Sequence, residues 1–373
     1  MNGKKINNLS EEPTILIAPL DWGLGHATRC IPIIYALLRS GATVLLAGDG
    51  AIEHLYKKEF PLLTFLKLRG YQIKYARKKL HFKLKLLSQL PHVRRTIQYE
   101  QRWLKKVVKE HKIDAVISDN RFGLHHRGIP CVYITHQLFI ETGINWLNLL
   151  AQKIHYRVIN RFGECWVPDL AGSDNLAGKL SHPTRLPTVP VHYLGCLSRL
   201  KHNVVNKSTR LLILLSGPEP MRSIFEALIC AQLKDVDGEV ALVRGLPLEQ
   251  ATLNLPVHVT VYNHLPAAEL EKLIQVSQTV LARAGYSTIM DLARLQQQAI
   301  LVPTPGQGEQ EYLATYLKDK NLFYSCPQQG FHLITALAQA GQFYHTVQPV
   351  GTIMQEQVVT NWLAEVKRAK ALR

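Results

Sequence analysis

The stretch DWGLGHATRC, residues 21–30, follows the short apolar run TILIAPL and sets two glycines beside a histidine. Glycines at 23 and 25 let a backbone approach a ligand closely. His26 stands where a helical pattern begins, with Ile31, Ile34, Leu37 and Leu38 at helical spacing and Gly41 as the stop. A neutral imidazole is available near pH 7, so His26 beyond a strand end is a candidate general base. Packing at a helix start is the alternative. A dinucleotide fingerprint fits less well: Thr28 occupies the sixth position, where Gly or Ala is needed, and Asp49 sits in a Gly-Asp-Gly turn.

A second group lies far along the chain. In LARAGYSTIMDLARL, Gly285 follows a strand-like run, and Ser287 or Thr288 is placed to cap the helix after it. The free N–H groups of such a helix start suit a phosphate. Asp291, one turn further, can accept hydrogen bonds from a ribose. In PTPGQGEQEYLA, Glu309 and Gln310 follow a Gly-rich loop. A carboxylate beside an amide suits vicinal sugar hydroxyls, because the first accepts and the second both donates and accepts. Each piece alone also reads as an ordinary cap or turn.

These residues need strands to carry them. TILIAPL, GHATRCIPIIYALLRSG and ATVLLAGD read as strand, helix, strand, a βαβ unit that implies a parallel sheet. DAVISD (114–119), PCVYITH (130–136) and ECWVPD (164–169) continue the series as short buried strands. KKLHFKLKLL fits either period and is read as helix, because helix formers run on from Arg94 to Lys109. SRLKHNVVNKST (198–209) is the linker candidate. RLLILLSG (210–217), EVALVRG (239–245), VHVTVYN (257–263), TVLARAG (279–285) and AILVPTP (299–305) form a second series, with STIMDLARL (287–295) as one of its helices. The expected fold is α/β: two Rossmann-like doubly wound domains facing a central cleft. Residues 1–200 form the N-terminal domain and 201–352 the C-terminal domain. Residues 353–373 form a last amphipathic helix that crosses back to the N-terminal domain. Ligands of such sheets bind beyond the carboxyl ends of the strands, where the singled-out residues cluster.

The chain has 373 residues, enough for two cores, and 47% of them are apolar. Its six cysteines are scattered without a CxxC pair, so they read as reduced core residues of a cytoplasmic protein with no structural metal. The apolar runs are far short of a membrane span. The N-terminal MNGKKINNLSEE is polar, unlike a signal peptide, and is expected to be disordered. The net charge is +16, and between Lys67 and Lys112 fifteen Lys or Arg face two Glu. That field attracts phosphates, anionic head groups or nucleic acid, although a solvated helical face would look the same.

Taken together, RAGYSTIMDLA, PTPGQGEQEYLA and DWGLGHAT resemble the GT-B fold glycosyltransferases of family 28, the MurG-like UDP-sugar enzymes. The resemblance implies that Gly23, Gly25 and His26 form the first glycine-rich loop. It implies that Ser216 and Gly217, in SGPEP, form the second, with two prolines replacing glycines. Arg199 matches the arginine near the phosphates, and Asp291 the ribose-binding acid. Glu309, Gln310 and Glu311 match the donor-sugar readers, with Glu311 in place of a second glutamine. Tyr262, Asn263 and His264 match the loop that holds the uracil edge. His136 and Gln137, in ITHQLFIETG, and Asp119, Asn120 and Arg121, in SDNRFG, would face the acceptor.

The expected reaction is an inverting, metal-independent transfer of a sugar from a UDP-sugar to an acceptor hydroxyl. N-acetylglucosamine is the candidate sugar and a lipid-linked molecule the candidate acceptor. His26 is the first choice of base, and Asp119 is the rival base or the group that orients the acceptor. Ser287, Arg199 and Ser216 would stabilise departing UDP. No DxD pair stands in a convincing loop, and no cofactor is expected. Residues 67–112, with Leu80, Phe82, Leu84, Leu86, Leu87 and Trp103 among the basic side chains, suit the inner face of an anionic membrane. Two alternatives remain: a UDP-N-acetylhexosamine 2-epimerase of the same fold, and a non-catalytic binder of anionic polymer. Nucleic acid is not expected, because the basic segment lacks interleaved aromatics of the RNA-binding kind.

Overall fold

The computed structural model describes residues 12–21, 23–71, 90–142, 145–246, 249, 253–346 and 354–373. The pattern at Leu80, Phe82, Leu84, Leu86 and Leu87, and with it the reading of KKLHFKLKLL, lies outside these residues. So does nearly all of the N-terminal segment expected to be disordered.

The first lobe is a seven-stranded sheet. Its strands are β1 (Thr14–Pro19), β2 (Thr43–Gly48), β3 (Phe65–Lys67), β4 (Ala115–Asp119), β5 (Cys131–Ile134), β6 (Glu164–Val167) and β7 (Val191–Tyr193). Their order is β3-β2-β1-β4-β5-β6-β7, and each pairing is parallel. The helices are α1 (Gly25–Arg39), α2 (Ala51–Glu59), α3 (Leu90–Glu110) and α4 (Asn145–Ile159). The strands are apolar on both faces because helices cover both. Ile15 and Ile17 join the core under α1, and Leu16 and Ala18 join the one that takes Leu104 and Val107 of α3 and Ile159 at the end of α4.

The second lobe repeats the plan with six parallel strands, β8 (Thr209–Leu214), β9 (Val240–Val243), β10 (Val259–Tyr262), β11 (Ser277–Ala282), β12 (Ala299–Leu301) and β13 (Tyr324–Ser325). They run in the order β10-β9-β8-β11-β12-β13. The helices are α5 (Met221–Cys230), α6 (Ala267–Val276), α7 (Tyr286–Arg294), α8 (Gly308–Asp319) and α9 (Leu333–Gln342). In both sheets the strand order reverses beside the first strand, between β1 and β4 and between β8 and β11. That reversal opens a crevice at the carboxyl ends.

A last helix, α10 (Glu356–Ala371), packs on the first lobe. Trp362 meets Trp166 of β6 edge-on at 5.4 Å. Lys367 Nζ donates to the Ser40 carbonyl at 2.9 Å, and Lys370 Nζ lies 3.0 Å from Asp114 Oδ2. The segment between the lobes has no regular secondary structure and is held on α6, where Asn203 N donates to Gln275 Oε1 at 2.7 Å.

Candidate active site

Sheet register brings the first-lobe residues together. Pro19 pairs with Asp119 and Asp119 with Ile134, so the loops after β1, β4 and β5 leave the sheet at one level. His26 enters from the first turn of α1 and sets Nδ1 3.1 Å from Asp119 Oδ1. No hydrogen bond to its Nε2 is found among the described residues, and its side chain is 16% exposed, at the crevice. One turn along α1, Arg29 grips the same carboxylate. Its Nε donates to Asp119 Oδ2 at 2.7 Å, and its Nη2 donates to Oδ1. Arg29 and Asp119 are 2% and 0% exposed, so this is a buried ion pair.

The charges fix the protonation of the group. Burial opposes ionisation of Asp119, but the Arg29 guanidinium and His26 outweigh it and hold the carboxyl far below its usual range. Asp119 is therefore ionised, and a carboxylate held that acidic is a poor base. His26 shifts the other way from a paired histidine. Burial, then Arg29, pushes it below its ordinary value against the pull of Asp119. The imidazole is consequently neutral at pH 7, as a general base must be.

The network crosses the cleft. Arg29 Nη1 lies 3.3 Å from His136 Nδ1, just beyond β5, and His136 Nε2 lies 2.8 Å from Glu309 Oε1 at the start of α8. Gln137 Nε2 donates to the other Glu309 oxygen. The His136 ring stacks on Tyr286 of α7 at 4.2 Å. Burial works against charge on Glu309, but His136 holds its carboxyl below the usual range. Gly25 has a second use here: a Cβ on it would come within 2.8 Å of Ser287 Oγ, which donates to the Gly25 carbonyl at 3.0 Å.

In the second lobe, Gly285 is the N-cap of α7, without a side-chain bond. Ser287 and Thr288 lie inside the helix, not at its cap as their sequence position suggested, and Ser287 spends its hydroxyl on the first lobe. Asp291 accepts from Ser198 Oγ at 2.5 Å, and burial raises its carboxyl to about 6. Arg199 lies close enough to Asp291 and His264 to bias both. Its Nη1 is buried without a hydrogen-bond partner among the described residues, 3.7 Å from Glu59 Oε2. Ser216 and Gly217 follow β8, with Gly217 at φ +100. Tyr262 ends β10, and Asn263 accepts from Arg244 Nη1 at 2.8 Å. His264 is exposed.

Gln310 points its amide into its own loop. It accepts from Thr304 N at 2.9 Å and donates to Gln307 Oε1 at 2.6 Å, which shapes the loop around Gly306. On the first lobe, Asn120 accepts from Tyr133 at 3.0 Å. Arg121 is fully buried, 3.5 Å from Glu100.

Sequence reasoning passed over Arg29, although its i, i+3 spacing from His26 puts the two on one helix face. It also passed over Arg283, a buried guanidinium 3.9 Å over the Phe225 ring. Arg283 donates to the carbonyls of Val302, Pro303 and Met221 and so ties the loop after β12 to α5. Among the described residues no group of three His, Cys, Asp or Glu is placed to hold a metal.

Comparison with known proteins places this architecture. Residues 246–349 match the glycosyltransferase family 28 C-terminal domain. An uncharacterized glycosyltransferase of Methanosarcina acetivorans is 22% identical over 333 residues, covering 82% of this chain and 85% of its own. Arabidopsis thaliana UGT89C1, solved with UDP-L-rhamnose, superposes with a TM-score of 0.59 at 11% identity, over 97% of this chain and 93% of its own. MurG of Acinetobacter baumannii gives 0.51 at 14%, over 96% and 95%. Two parallel α/β lobes with a crevice between them are the GT-B fold, and the family-model match and the curated relative indicate a glycosyltransferase. The likeness to the family 28 enzymes is carried by the second lobe.

Proposed function

We propose that the protein transfers a sugar, with inversion, from a UDP-sugar to an acceptor hydroxyl in the crevice between the lobes. The observation that carries this is the His26–Asp119 pair lying in one hydrogen-bonded network with Glu309 of the opposite lobe. His26 Nε2 takes the acceptor proton as the hydroxyl attacks carbon 1 from the face opposite UDP. Asp119 steadies the imidazolium that forms.

On this reading the uncapped start of α7, at Gly285, Ser287 and Thr288, receives the diphosphate, with Arg199 and Ser216. The Nη1 of Arg199, buried beside Glu59 without a hydrogen-bond partner among the described residues, supports that role. Asp291 takes the ribose, Glu309 the sugar hydroxyls, and the backbone of Tyr262, Asn263 and His264 the base. Gln310 keeps the Gly306 loop in shape beside the sugar. The UDP-L-rhamnose bound by the Arabidopsis relative supports a nucleotide-sugar donor of this kind, and N-acetylglucosamine is the sugar we favour. Asn120, His136 and Gln137 lie on the first-lobe side, where the acceptor would lie, whereas Arg121, expected there from the sequence, is fully buried beside Glu100 and does not reach it.

A lipid-linked acceptor at an anionic membrane fits one further feature. Helix α4 exposes Trp146, Leu149, Leu150 and Ile154, of which Trp146 is 67% and Leu149 65% exposed. It shares a sheet face with α3, which carries Arg94, Arg95, Arg102, Lys105, Lys106 and Lys109. Exposed apolar side chains beside basic ones suit a lipid surface. Among the described residues no helix is long and apolar enough to cross a membrane.

A thermal-shift panel of nucleotides and UDP-sugars, followed by a transfer and hydrolysis assay on the best stabiliser, tests the donor reading. His26→Ala should keep UDP binding and lose about 10²–10⁴-fold in turnover, the usual contribution of a general base. Unchanged turnover would remove His26 from this role. Conversion of UDP-N-acetylhexosamine to its 2-epimer without an acceptor would replace transfer by epimerisation.

A further inference from the structure

We infer that Arg29 is a positioning residue that decides which nitrogen of His26 carries the proton, and that it ties this choice through His136 to the Glu309 carboxylate. The inference deepens the sugar-transfer reading and rests on it for its meaning, though not for its test.

The geometry sets a contest at one atom. His26 Nδ1 lies 3.1 Å from Asp119 Oδ1, an acceptor, and 2.9 Å from Arg29 Nη2, a donor. A neutral imidazole satisfies one of them. With the proton on Nδ1 it donates to Asp119 and leaves Nε2 bare, ready to take a proton from the acceptor hydroxyl. With Nδ1 bare it accepts from Arg29, and Nε2 carries a hydrogen and cannot act as a base. Arg29 Nη2 has two hydrogens, so it can serve Asp119 and His26 at once. Arg29 thus favours the resting tautomer and Asp119 the working one.

Arg29 is not free to settle this locally. Arginine has no acceptor, so Nη1 at 3.3 Å makes His136 Nδ1 the accepting nitrogen and places the His136 proton on Nε2. That Nε2–H then donates to Glu309 Oε1 at 2.8 Å. Asp119, Arg29, His136 and Glu309 form one alternating chain of acceptors and donors across the cleft. A ligand hydroxyl that takes the Glu309 carboxylate from His136 loosens the far end of the chain. The guanidinium is then drawn less toward His26 and His136, and the Asp119 tautomer gains. Donor engagement and base readiness would rise together. The titratable or charged groups facing His26 are Arg29 on its own helix, Asp119 from β4, His136 from beyond β5 and Glu309 from α8.

The test is ¹⁵N NMR of the histidine rings in the full-length protein, with His26 assigned by His26→Gln, for wild type, Arg29→Lys and Arg29→Met. Each is examined alone, with UDP, and with UDP-N-acetylglucosamine. In wild type alone, Nδ1 should be mainly unprotonated, and UDP-N-acetylglucosamine, but not UDP, should move population to Nδ1–H. Arg29→Lys keeps a cation beside Asp119 but cannot reach Asp119, His26 and His136 together, so it should hold Nδ1–H in every sample. If Arg29→Met folds, it removes the cation that, after burial, depresses His26, so the ring should titrate at higher pH. The acid limb of kcat should move up with it. Identical tautomers in ligand-free wild type and ligand-free Arg29→Lys, or a wild-type tautomer that UDP-N-acetylglucosamine leaves unmoved, would overturn the inference. So would a fall in kcat with the acid limb unmoved, the mark of a merely structural role. Absence of any UDP-sugar turnover in wild type would refute the transfer reading instead, and the ligand-free tautomers would still judge Arg29.

Discussion

Replacing Asp119 by asparagine should destabilise the first lobe by about 3–5 kcal/mol, the usual effect of removing one partner of a buried ion pair. The size follows from what is left behind. Arg29 is 2% exposed and has no other carboxylate within ion-pair distance among the described residues, so the variant buries a guanidinium without a counter-charge. It also loses the full strength of two charge-assisted bonds, from Nε at 2.7 Å and from Nη2, each contributing about 1.5–3 kcal/mol. Against a total stability of about 5–15 kcal/mol this is a large fraction. Equilibrium urea denaturation followed by tryptophan fluorescence measures it, because Trp166 lies on the same sheet. The decisive step is a double-mutant cycle. Arg29→Met with Asp119→Asn removes both charges, so the pair should cost at least about 2 kcal/mol less than the sum of the single changes. Because the folded Asp119 carboxyl lies below its unfolded range, its stabilisation is present throughout neutral and mildly acidic pH. It is lost only as pH falls through the depressed folded value. The loss in Asp119→Asn should therefore be equal at pH 6 and pH 8. A loss under about 1 kcal/mol, or simple additivity in the cycle, would refute the buried-pair account.

Asp291 behaves in the opposite sense. Its folded carboxyl, at about 6, holds a proton that the unfolded chain has already released, so it makes ligand-free stability fall as pH rises from about 4 to about 6. Asp291→Asn should flatten that slope in urea titrations and weaken UDP binding about tenfold at pH 7.5, as loss of a hydrogen bond to a charged group implies. An unchanged slope would contradict the shift. On the membrane side, Trp146→Ser with Leu150→Ser should abolish sedimentation with phosphatidylglycerol vesicles while leaving UDP binding intact. Wild-type binding that ignores lipid charge would argue against the anionic surface.

Much of the frame was legible locally. Buried parallel strands announce themselves as unbroken apolar runs such as ILIA and LLIL, and helices by the spacing of residues such as Ile31 and Ile34. The strand-end rule then pointed to the loops holding His26, Asp119, Asp291 and Glu309. The edge strands β3, β7 and β13 were missed because two or three residues hold no period. The capping role of Ser287 failed for another reason: the hydroxyl found a partner in the Gly25 carbonyl, 262 residues away.

The amino-acid sequence by itself determined the two-lobed α/β plan and the loops in which chemistry had to sit, since period and punctuation are short-range properties of the chain. Tertiary structure alone decided what each group became. Asp119 stays ionised because Arg29 is buried beside it, Glu309 faces His136 across 173 residues of chain, and His26 is neutral through burial and a neighbouring cation. Charge and hydrogen-bond partnership act through space over a few ångströms, and sheet register and lobe docking set those distances.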